Sequence, residues 1–233
     1  GRSQPKTGGD IFLTTGEGTY SSSGMIRIRT ANAGTSGISG LLSFSSGTTS
    51  NGNSGALFFG TGAATNGRGG AILMTVGSGN SGSGGRLTIL SGKTTHQTGG
   101  HLTIESGEGS TRSSGHIHVR TANSGTSGTS GLLIFSSGTA SSGNSGKISI
   151  GSGAATSGRG GALLMTVGSG TSGTGGQLTL LAGDSTAATG GSIYIETGYG
   201  APSTSGLLQI RTANAGDSGI SGLLSFSSGT TSV

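Results

Sequence analysis

The sequence predicts an all-β protein, a single β-solenoid (β-helix) of about fifteen stacked coils of 15–16 residues, and three observations predict it. A glycine opens a new unit every 15 or 16 residues from Gly9 onward. Inside each unit the third and fifth residues are apolar while their even-numbered neighbours vary. A longer period of 91 residues, six units, runs over the short one.

The short period is plain in GDIFLTTGEGTYSSS from Gly9, GLLSFSSGTTSNGNS from Gly40 and GAILMTVGSGNSGSG from Gly70. Position 3 is always Ile or Leu, and position 5 is Leu, Ile, Val, Phe or Met. Alternation at period 2 is the mark of an extended segment with one covered face. One such segment cannot bury that face alone, so stacked copies are expected to align positions 3 and 5 into continuous rows.

The long period appears where GMIRIRTANAG at Gly24 returns as GHIHVRTANSG at Gly115 and GLLQIRTANAG at Gly206, each time 91 residues on. Residues 28–50 and 210–232 are identical except that Thr35 becomes Asp217. Random low complexity does not hold register in this way. The organisation that follows is a non-repeat segment 1–8 and a solenoid 9–233, in superrepeats 9–99, 100–190 and a partial 191–233.

After the extended stretch, position 8 is Gly in nearly every coil and position 10 is always Gly, Ala, Ser or Thr. Small residues there suit a second wall lying close to the first, and the corner glycines are expected to supply backbone conformations that other residues avoid. The coils opening at Gly24, Gly115 and Gly206 carry one extra residue within TANAGTSGIS and its variants. It is expected to bulge outward, because a shift of register would turn the aliphatic rows to solvent. Glu105 and Arg120, and again Glu196 and Arg211, share position 6 of consecutive coils and are expected to lie side by side.

Composition constrains function. With 54 Gly among 233 residues, 8% charged and 4% aromatic residues, the chain lacks the make-up of an ordinary globular core. Large apolar side chains alone are too few to order it. It has no Cys, hence neither disulfides nor thiolate metal sites. No run of 18 apolar residues marks a membrane insertion, and the first residues, GRSQPKTGG, lack the apolar stretch of a signal peptide. A net charge of +5 is thinly spread, without a Lys/Arg block or interleaved aromatic platforms, so no nucleic-acid partner is expected.

Candidate chemistry is sparse. His101, His116 and His118 occupy outward positions of adjacent coils and could gather on a divalent transition metal. Asp10, Met25 and Arg27, then Ser192, Leu207 and Gln209, replace them in the other superrepeats, so a solvated patch is the expectation. The segment SGKTT at 91–95 ends like a phosphate loop, but Leu87 stands where its first Gly belongs. Carboxylates are too scattered for a general acid/base pair. The expected site list is therefore empty: no catalytic, cofactor-binding or metal-binding residue, no cofactor, and no enzyme activity.

The coil motif G-x-[IL]-x-φ-x-[ST]-G, where φ is apolar, resembles short-coil β-solenoid repeats, rich in Gly, Ser and Thr, of extracellular fibres and cell surfaces. The resemblance implies the architecture and an extracellular or cell-surface setting. Neither end carries a recognisable cap, and an uncapped β-stack templates further strands. The expectation is a structural filament or stalk that self-associates head-to-tail, and laterally through outward Leu41, Phe58, Leu73, Leu132, Ile134 and Leu164. Two alternatives stay open: an adhesin stalk attached to a cell surface or glycan, and an ice-binding solenoid.

Overall fold

Positions 1–8 of each repeat run extended, as their alternating apolar pattern requires, and the chain then turns back on itself. In the computed structural model, which describes residues 8–230, a bend falls at positions 11–13 of each 15-residue repeat, as at 50–52, 65–67, 156–158 and 171–173. Position 1 of the next repeat thereby returns beside positions 7 and 8 of the one before. Each repeat is an extended segment followed by a loop whose two ends touch, the arrangement of an Ω-loop.

Backbone hydrogen bonds close these loops. The Gly24 amide donates to the Gly16 carbonyl at 3.3 Å, Gly100 to Gly92 and Gly115 to Gly107 at 2.9 Å, Gly191 to Gly183 at 2.9 Å, and Gly206 to Gly198 at 3.0 Å. All join position 1 to position 8 of the preceding repeat.

This overturns the β-solenoid. Among the described residues there is no strand and no helix. The all-β class, with its stacked coils and β-helix, is not what these residues form. A strand exists only when amides and carbonyls of neighbouring segments pair in a ladder, and here the backbone bonds among the described residues close single loops, six of them between position 8 and the next position 1, without continuing into a ladder. The strand edges expected to template head-to-tail growth are absent with the strands. The expected non-repeat segment 1–8 lies, but for Gly8, outside the described residues.

Burial agrees with local closure. A compact chain of 22.1 kDa would expose about 9,400 Å² and a fully extended one about 32,000 Å² by the usual size scaling. This chain exposes 23,876 Å². No residue among those described is buried.

The apolar alternation nonetheless survives. Away from the ends, side chains at positions 3 and 5 are 47–69% exposed, against 69–91% for apolar residues at positions 2, 4 and 6. The odd-numbered side chains are the more covered set, as the period of 2 predicts. They form a flank rather than a core.

The chain divides into two units, Gly1–Ile117 and His118–Val233. In each, the extra residue of a 16-residue repeat is taken up inside the loop. Thr30 Oγ1 donates to the Gly40 carbonyl at 3.2 Å across ten residues, and Thr61 Oγ1 to the Gly70 carbonyl at the same 3.2 Å across nine. In the repeat from Gly206 the Gly219 amide donates to the Gly216 carbonyl at 3.2 Å, a tight turn that absorbs the added residue.

Candidate functional site

Position 1 returns close to position 7 of the repeat before along the chain, a backbone hydrogen bond closes the junction at six places among the described residues, and its glycines divide into two classes. At most position-1 glycines a Cβ would crowd the preceding position 7 or 8, the exceptions being Gly55 and Gly146, where the nearest atom lies at 3.5 Å. On Gly24 it would lie 2.8 Å from Thr15 Cβ, on Gly161 3.0 Å from Ser152 Cβ, and on Gly191 3.2 Å from the Gly183 nitrogen. At position 8 the reverse holds: a Cβ on Gly16, Gly92, Gly168 or Gly183 would meet nothing within 4 Å.

The corner glycines are thus not selected for unusual backbone angles. Among the described residues positive φ occurs only at Gly82, at 82°, and Gly143, at 121°, both at position 13 in the bend. Position 1 needs glycine for close approach. Position 8 is sterically free.

Position 7 supplies a second tie. Thr15 Oγ1 donates to the Gly24 carbonyl at 3.3 Å and Ser152 Oγ to the Gly161 carbonyl at 2.7 Å. The motif's Ser or Thr before Gly thereby acquires a role that periodicity did not reveal, since its partner lies nine residues ahead. Ser152→Ala is expected to shift the Gly161 carbonyl carbon resonance toward that of a solvated glycine, with Ser152→Thr restoring it. The local cost is about 0.5 kcal/mol, the low end for a hydrogen bond, because both groups face water.

Inside the loop, position 10 is small because the bend folds back over it. A Cβ on Gly18 would stand 2.5 Å from the Ser21 carbonyl oxygen and 2.7 Å from that of Ser22, and one on Gly200 2.5 Å from the Thr204 oxygen. Where position 10 is Ser or Thr, its oxygen caps the bend. Ser185 Oγ accepts from the Ala187 and Ala188 amides at 3.4 and 2.9 Å, and Thr94 Oγ1 from those of His96 and Gln97 at 3.4 and 3.3 Å. These two caps stand 91 residues apart. SGKTT is therefore bend chemistry, with Thr95 Oγ1 also 2.7 Å from His96 Nδ1.

Among the described residues, no three His, Cys, Asp or Glu side chains come together to hold a metal, and His118 belongs to the second unit while His101 and His116 lie in the first. Among the described residues the side-chain hydrogen bonds all close within ten residues, and none joins Glu105 to Arg120 or Glu196 to Arg211, each pair fifteen apart. A polar groove of about 350 Å³ is lined by Arg211, Thr212, Ala213 and Asn214, the tetrapeptide that also stands at 29–32 and 120–123. An apolar one of about 320 Å³ is lined by Phe135, Ile148, Ser149 and Ile150 of consecutive repeats. No helix among the described residues is long and apolar enough to cross a membrane.

Fold and junction together define a tandem-repeat protein of tied loops. No family model matches the chain, and no curated protein or solved structure matches it.

Proposed function

We propose that the chain is a structural protein of the extracellular space or cell surface, a filament or stalk component whose copies self-associate, without catalytic activity or cofactor. The observation that carries this reading is the 91-residue superrepeat. Residues 28–50 and 210–232 differ at one position only, and the identity includes outward residues such as Arg29, Leu41 and Ser43 that the loop junction does not use.

Loop closure constrains positions 1, 7 and 10 and leaves positions 2–6 free, the apolar positions 3 and 5 among them. Repetition of the free positions points to a surface used many times at one spacing, as lateral or end-to-end contact between copies requires. A binding or reaction centre would instead set one repeat apart from the others. The extracellular setting rests on the likeness of the coil motif to secreted Gly/Ser/Thr-rich repeats.

Sedimentation velocity across a wide concentration range, paired with electron microscopy of the same samples, tests the proposal. Growing assemblies of regular width are expected. A chain that remains a single species at every concentration rules it out.

A further inference from the structure

The side chains at positions 3 and 5 form the most persistent apolar feature of the molecule. Neither position carries a polar or charged residue in any repeat, whereas positions 2, 4 and 6 include Arg27, Arg86, His101, Glu105 and Lys147. Yet in the single chain this set remains about half open, as at Leu133, 47% exposed, and Leu163, 58%.

We infer that this odd-position row, and not the outward even-position residues, is the surface on which a second copy of the chain docks. The inference rests on the self-association proposed above and names its face.

Area supports it first. The unit His118–Val233 carries fifteen such side chains. At roughly 60 Å² of open apolar surface apiece they present about 900 Å², the order of the ~800 Å² that each partner of a stable interface contributes.

Periodicity then selects the occupant. The row recurs once per repeat, and a partner stays in register with it only by having the same spacing, which a second copy does by construction. An isologous pairing sets Ile, Leu and Phe of one copy against the same residues of the other. The groove between Phe135 and the Ile148–Ile150 segment of the next repeat is open to an aliphatic or phenyl side chain from the opposing copy. Charge does not oppose the pairing: a net +5 over 233 residues leaves little repulsion between copies, and none of it arises on the row.

The absence of native Cys makes the test direct. Full-length Leu163→Cys and Leu164→Cys place a unique thiol on the odd and the even side of the same segment. Under mild oxidation, at concentrations where the native chain associates, Leu163→Cys is expected to form disulfide-linked dimers at least about tenfold faster. In parallel, Ile148→Glu with Leu163→Glu should raise the association midpoint by about tenfold or more, because carboxylates would be buried without partners. Leu132→Glu with Leu164→Glu should leave the midpoint nearly unchanged.

Faster cross-linking through Leu164→Cys, or selective loss of association in the Leu132/Leu164 pair, overturns the row as the contact face while leaving self-association standing. A native chain that stays monomeric removes both. A monomer that instead floats with phosphatidylcholine vesicles, and stops doing so in the Ile148/Leu163 pair, assigns the row to a lipid surface and equally overturns docking of a second copy.

Discussion

Gly191→Ala opens its loop junction, whereas Gly183→Ala, at the carbonyl end of the same hydrogen bond, leaves it closed. The added methyl at 191 would sit 3.2 Å from the Gly183 nitrogen, 3.3 Å from the Ala182 Cβ and 3.3 Å from the Gly183 oxygen. Two of those atoms are backbone and cannot rotate aside, so the approach that permits the 2.9 Å bond from the Gly191 amide to the Gly183 carbonyl is lost. Forcing a methyl into such a contact costs about 1–3 kcal/mol. At 183 the methyl meets nothing within 4 Å and the backbone does not have positive φ, so a gain of about 0.4–1 kcal/mol is expected from the stiffer unfolded chain. Amide exchange at residue 191 reads both variants: at least about tenfold faster in Gly191→Ala, and unchanged or slower in Gly183→Ala. Equal effects at the two positions would mean that the junction is not held by close approach.

Urea unfolding of the dilute, unassociated chain is expected to be shallow, with an m-value about one third of that for a compact protein of equal length. The m-value follows the surface newly exposed on unfolding. With 23,876 Å² already accessible, only about 8,000 Å² remains to be exposed, against about 22,600 Å² for a compact chain of this mass. Loops closed one at a time also lack the shared core that makes unfolding all-or-none. A steep single transition, with the slope of a compact protein and independent of concentration, would reveal a core that these loops do not form. A slope that steepens with protein concentration would place the missing burial between copies.

These two expectations separate what could be read in advance from what could not. The odd-even alternation predicted that Ile26 and Ile28 would be covered more than Met25, and they are, at 49% and 55% against 76%. Smallness at position 10 was equally legible, although its cause is the bend folding over Gly18 and Gly200 rather than a facing wall. The glycines at positions 1 and 8 look alike in sequence. Only spatial neighbours tell them apart.

The candidate chemistry divided along the same line. SGKTT could be dismissed as a phosphate loop from Leu87 alone, but the capping of the 95–97 bend by Thr94 required its oxygen to be seen within reach of two amides. The position-7 hydroxyls were visible as a pattern, while their acceptors, nine or ten residues ahead, were not.

Sequence by itself determined the 15-residue unit, the 91-residue superrepeat and which residues alternate in exposure, but placed the turn at the corner glycines, whereas the bends fall at positions 11–13. Tertiary structure decided the hydrogen-bond partners, and so decided against the solenoid. The physical reason is that a period of 2 reports the direction of side chains and says nothing about which carbonyl an amide will meet. In this chain the carbonyl that the position-1 amide meets belongs to position 8 of the preceding repeat, brought within 2.9–3.3 Å because the position-1 glycine has no side chain to keep the backbones apart.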